Sequence, residues 1–156
     1  MEDTITEYNS TLFAKYIIAW ANDKGIPINM TKTQKLLYIA YGVWLAVVGK
    51  RLLDEHPQAW PYGPVFPTTR NRLLKIDFYE ISISSGEFNT LKSDENVSSL
   101  LRLVFRVFGK WTAGQLSAWS HAEGSPWERT VCKSGFKWGN RIDDDDIQKY
   151  FKMIVK

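Results

Sequence analysis

Cysteine occurs once in these 156 residues, at Cys132, so no internal disulfide can form; a single thiol fits a reducing compartment. Histidine occurs only as His56 and His121. His121-x-Glu123 followed by Pro126 copies part of a zinc deaminase pattern, but the required P-C-x-x-C cannot be built from one cysteine. A nucleophilic pair of Cys132 with either histidine lacks any local signature that would activate the thiol. Neither G-x-x-x-x-G-K-[ST] nor G-x-G-x-x-G is present, so no phosphate-binding loop is expected. Asp143 to Asp146 lack EF-hand spacing and its glycine, and carboxylates in a helix's first turn complement the helix dipole. These absences argue against an enzyme and against a metal or cofactor.

Charge and hydropathy exclude further classes. The formal net charge of +3 is too small to establish nucleic-acid binding. Met1-Glu2-Asp3-Thr4 has neither the basic nor the apolar region of a secretory signal. The longest apolar run contains Tyr38, Tyr41 and Gly42 and stops by Gly49, short of a membrane span. The expectation is a soluble cytoplasmic protein with no membrane partner. What the chain does have is a globular apolar content of 44% and seven tryptophans, which serve cores and binding surfaces alike.

The length suits one compact domain spanning 1–156, with a polar, frayed tail over 1–9. Ser10 caps a first helix to about residue 24, where Gly25 and Pro27 stop it. Thr31 and Gln34 read as a capping box opening a second helix, which Gly49 ends. Leu52 and Leu53 are expected to plug the core beneath it. Pro67 at the first helical position opens a third helix to about Leu74. Tyr79, Ile81 and Ile83 alternate with Glu80, Ser82 and Ser84, which predicts a β-hairpin over 78–91. Ser93 caps a helix over 94–108 that is apolar almost all round, the pattern of a central core helix. Thr112 and Gln115 form a second capping box, with a helix to about Ala122. Ser125-Pro126-Trp127-Glu128 forms a third, with a helix to about Cys132. A loop follows over 133–140, and a last helix opens at Asp143–Asp146. The fold class expected is mainly α, six or seven helices with a small β-hairpin.

One stretch organises the rest. The helix of Gln34-Lys35-Leu36-Leu37-Tyr38 through Ala46 is followed by Ala59-Trp60-Pro61-Tyr62-Gly63-Pro64-Val65, an aromatic corner stiffened by prolines. The order QKLLYIAYGVWLA, GKRLLDE, AWPYGPV, then Leu116-Ser117 through His121-x-Glu123 to Ser125-Pro126-Trp127, resembles the Panacea antitoxin domain family. This is a SocA-like family of bacterial and prophage proteins, and the resemblance covers nearly the whole chain. It implies an antitoxin that neutralises a co-encoded protein toxin by direct binding or by delivering it to a protease. Members of such a family are paired with chemically diverse toxins.

The resemblance marks Gln34, Lys35, Leu36, Tyr38, Ala59, Trp60, Gly63, Pro64, His121 and Trp127 as signature or toxin-binding positions, with no departure among them. Tyr62 joins them from the residues themselves: Trp60 and Tyr62 on a stiff backbone are either binding anchors or core. His121 and Trp127 are either a structural pair or part of a recognition surface. Arg70, Arg72 and Lys75 on the third helix, and Arg102, Arg106 and Lys110 at four-residue steps, are either solvated faces or a basic ridge. If their helices adjoin, the ridge fits an acidic partner or operator DNA, and the second function expected is a nucleic-acid-binding prophage regulator. The Trp60-Pro61 bond is expected to be trans.

Overall fold

Helix α2, Met30–Val48, is the axis of the molecule: every residue from Lys32 to Leu45 is buried. The structure is a computed structural model that describes residues 7–133 and 139–155. Around α2 stand α1 (Ser10–Lys24), α3 (Pro67–Leu73), α5 (Glu95–Phe108), α6 (Ala113–Ser120) and α8 (Asp144–Ile154). Two further helices, α4 (Asn89–Lys92) and α7 (Pro126–Lys133), lie outside this ring. Among the described residues, no helix is long and apolar enough to cross a membrane.

The helix ends follow from local chemistry, with three shifts from the expected caps. Gly25 and Gly49 sit in the left-handed conformation that ends α1 and α2. Pro67 takes the first turn of α3, and Thr112 with Gln115 closes a reciprocal capping box on α6. The caps of α1, α2 and α5 are Asn9, Asn29 and Asp94, not Ser10, Thr31 and Ser93. In each case an Asn or Asp side-chain oxygen accepts from the N3 amide of its own helix. Asn29 Oδ1 accepts from Lys32 N at 2.9 Å, which frees Gln34 for another partner.

The small β element is present but in another place. Strands β1 (Gln58–Trp60) and β2 (Gly63–Val65) form an antiparallel hairpin within the aromatic corner, pairing Gln58 with Val65 and Trp60 with Gly63. Pro64 has no N–H to offer and stands opposite Ala59, whose own N–H and C=O bind Asn140 and Gly139 instead. The hairpin expected over 78–91 does not form. That segment makes two 3-10 turns, Phe78–Glu80 and Gly86–Phe88, and runs into α4. Its serines satisfy one another and their neighbours: Ser82 Oγ lies 2.8 Å from Ser84 Oγ, and Ser85 Oγ accepts from Glu87 N. Asn22 Nδ2 donates to the carbonyls of both Phe78 and Ile81, which ties the segment to α1.

Two further expectations are corrected. Residues 7–9 are not frayed: Tyr8 bridges Leu53 in parallel, its hydroxyl donates to Asp94, and Glu7 pairs with Arg51. Residues 1–6 lie outside the described residues, as does most of the 133–140 loop. The central core helix is α2 rather than α5, because α5 buries Val97, Leu100, Leu101, Val104, Phe105 and Phe108 on one side and leaves Val107 exposed. Leu52 and Leu53 are buried as expected, and no cis peptide occurs among the described residues.

The tightest crossing joins α2 to α8. Gly42 faces the Phe151 ring so closely that a Cβ would overlap it. Tyr41 donates to Asp144 at 2.7 Å, and Gln148 Nε2 donates to Leu45 O at 3.0 Å, so the acidic start of α8 also serves this crossing. Gly42→Ala should therefore lower stability by about 1–3 kcal/mol through overpacking. Phe151→Leu opens space at the same point, so the double variant should cost less than the sum of the singles in a urea-melt cycle. Strict additivity would show that the two residues do not share this contact.

Candidate functional site

From Trp60 to Phe66, side chains from elsewhere bind the backbone carbonyls at every second position. Trp127 Nε1 donates to Trp60 O at 2.7 Å. Ser117 Oγ donates to Tyr62 O at 2.6 Å. Lys35 Nζ donates to Pro64 O at 3.0 Å. Gln34 takes both groups of Phe66, accepting from its N–H at 2.7 Å and donating to its C=O at 3.3 Å. Prolines remove donors from this short hairpin's ladder, and side chains of α2, α6 and α7 supply donors to its backbone.

Three signature residues, Gln34, Lys35 and Trp127, thus belong to one lock. Gly63 belongs to it by size. Its φ of +118° suits glycine, and a Cβ there would overlap Ser120 Oγ and press on Lys35 Cε. Trp60 is half-buried: its indole N–H donates to Gln58 Oε1 at 3.0 Å, and the Arg70 guanidinium lies 5.7 Å from its ring centroid. His121 packs edge-on against Trp127, with centroids 5.2 Å apart.

The remaining predicted positions divide. Leu36, Tyr38 and Ala59 are buried, and Tyr38 meets Phe151 edge-on at 5.6 Å. Burial pushes the Tyr38 hydroxyl far above its ordinary pKa, and among the described residues the hydroxyl has no hydrogen-bond partner. Tyr62 alone of the aromatic corner extends into solvent, at 76% exposure. The arginines do not merge into one ridge by packing: α3, with Arg70 and Arg72, packs on α1 and α2, while α5, with Arg102 and Arg106, packs on α2 and α4. Sequence reasoning missed Ser117, Ser120 and Lys32 as lock residues. Lys32 Nζ donates to Gly109 O at 2.6 Å and so ties α2 to the end of α5.

Lys35 is the electrostatic centre of the lock. It is buried and, among the described residues, makes no salt bridge. Burial lowers its pKa to about 8. An unfolded lysine holds its proton to about 10.5. Between these values unfolding takes up a proton, so raising the pH stabilises the folded protein, by at most about 1.4 kcal/mol per pH unit. The buried tyrosines act in the opposite direction, but only as the pH passes their unfolded value of 10.0. Wild-type stability minus that of Lys35→Met should therefore rise from about pH 8 to 9.5 in chemical denaturation. A flat difference would remove the charge burial from the account. Gln34→Leu should cost about 1–3 kcal/mol, because it orphans the N–H of the fully buried Phe66, while Phe66 O keeps its bond from Arg70 N.

Residues 33–128 match the family described as Antitoxin SocA-like, Panacea domain. That span contains Gln34, Lys35, Ser117 and Trp127, the four side chains that hold the carbonyls of the hairpin and of Phe66. The protein Antitoxin SocA of Caulobacter vibrioides (strain NA1000 / CB15N) is 33% identical over 143 residues, covering 81% of this chain and 73% of the relative. No solved structure matches the chain significantly. On the family match and this relative together, the chain belongs to the antitoxin SocA-like, Panacea-domain family.

Proposed function

We propose that this protein is an antitoxin that acts in the bacterial cytoplasm by binding a co-encoded protein toxin directly, either occluding it or handing it to a protease. The observation that carries this reading is the family match over 33–128 together with a relative named as an antitoxin. The geometry supports binding rather than catalysis: Gln34, Lys35 and Trp127 each hold a backbone group of the chain itself. Side chains so engaged stiffen a scaffold, and a stiff scaffold loses little entropy when a partner docks. The placement of Arg70 over Trp60, and of the two arginine sets on separate helices, favours a protein partner over operator DNA.

The reading is tested by expressing the adjacent reading frame alone and then together with this chain. The expected outcome is growth arrest that this chain relieves. A harmless neighbour, or toxicity untouched by co-expression, would reject the antitoxin role. Within the aromatic corner the two exposed-looking residues should separate. Trp60→Ala removes packing, a hydrogen bond and the Arg70 contact, and should lower stability toward the about 3–5 kcal/mol seen for buried aromatics. Tyr62→Ala should leave the melting curve within about 0.5 kcal/mol of wild type.

A further inference from the structure

Helix α5 reads as apolar nearly all round, yet the fold buries only one side of it. Its outer stripe, Ser99, Arg102, Leu103, Arg106 and Val107, has the spacing of a single helix face. The last turns of α2 run past the core in the same way. Val47 is 68% exposed and Val48 37%, while Val107 is 47% and Ile154 of α8 42%. These four are half of the eight large apolar residues that the described surface exposes, and they line two grooves. One groove, of about 350 Å³, lies among α2, α5 and α8; the other, of about 250 Å³, lies between α2 and α5. Both include Val43 and Leu103, so the two adjoin and together make up an apolar trough. Apolar surface gathered in this way marks a place where another surface docks.

Among the described residues, the one charged side chain that lines the trough is Arg106. Arg102, one turn earlier, donates to Ser99 Oγ, which is in the wall of the second groove. No Asp or Glu lines either groove, and among the described residues neither arginine pairs with a carboxylate. We infer that this trough is the docking site for an amphipathic helix of the toxin, apolar on the inserted face and acidic along the edge that meets Arg102 and Arg106. A helix laid in an apolar groove and fixed by flanking charge is a standard mode of recognition. The inference rests on the antitoxin reading and adds to it the surface and the chemistry of the partner.

The test uses the full chain and the purified, tagged product of the adjacent reading frame. Val47→Asp and Val107→Asp alter exposed positions, so their melting curves should match wild type; Val107→Ser is the milder substitute if either fails to fold. Each should weaken binding at least about tenfold and abolish protection in the co-expression assay. Arg102→Glu/Arg106→Glu should weaken binding by a similar factor, and raising the salt should weaken the wild-type complex but not that of the double variant. Tyr79→Ala, at an exposed residue outside both grooves, should bind as wild type. If wild type binds and protects while the trough variants do so equally well, the trough is overturned and the antitoxin reading stands. If only the valine variants lose binding, the acidic character of the partner is overturned. If sedimentation shows a dimer of this chain that Val107→Asp dissociates, the trough is a self-interface and the inference is overturned. If wild type neither binds nor protects, it is the antitoxin reading that fails.

Discussion

A run of backbone that cannot satisfy its own hydrogen bonds is the constraint on which this structure depends. Pro61, Pro64 and Pro67 remove three amides within seven residues, so the chain between Trp60 and Phe66 has more acceptors than local donors. Each unsatisfied carbonyl in a buried place costs about 1–3 kcal/mol. The molecule meets this with long side chains reaching from α2, α6 and α7 to alternate carbonyls. Because the donors lie on three helices, holding the hairpin also fixes those helices relative to one another. Lys35 shows how strongly the position is determined. Burying an ammonium without a carboxylate is unfavourable at neutral pH, yet it sits there as the donor to Pro64 O.

The lock and the core are two faces of the same helix. Gln34 and Lys35 stand near the start of α2 and reach the hairpin and Phe66, while Leu36, Leu37 and Tyr38 enter the core. Farther along, Gly42 lets α8 approach until the Phe151 ring fills the place of a side chain. Phe151 meets Tyr38 and Trp119 edge-on, so α2, α6 and α8 close on one aromatic cluster. Displacing the hairpin would disturb this cluster through α6, because Ser117 and Trp119 are neighbours on that helix, one holding the hairpin and the other packed on Phe151.

Local signals were legible in the sequence and relayed ones were not. Gly25, Gly49, Pro67 and the Thr112–Gln115 box ended or began helices as their chemistry requires, because each acts within four residues. Thr31–Gln34 has the same spelling as Thr112–Gln115 but a different role. Asn29 already caps α2, and the acceptor and donor that Gln34 meets lie 32 residues away. The 78–91 segment shows the opposite failure. Its alternation is real, but serine hydroxyls satisfy the backbone locally and no second strand is at hand. The true strands, three residues each and broken by prolines, carry no periodicity at all. Of the candidate site, the sequence pointed to Gln34, Lys35, Trp60, Gly63, Pro64 and Trp127. It could not show that they meet one another instead of a partner.

That inward orientation bears on how a shared scaffold can serve a particular partner. The buried residues of the lock cannot easily vary: changing Gln34 orphans the N–H of Phe66, and changing Lys35 removes the donor to Pro64 O. They can define a family, but they are poorly placed to choose a ligand. Choice must come from side chains the scaffold leaves outside, among them the outer stripe of α5, the last turns of α2 and the end of α8. A substitution on an exposed stripe costs little stability. The trough can therefore change its apolar shape and its charge while the lock stays fixed. A rigid interior with an adjustable surface lets one fold meet different partners without refolding.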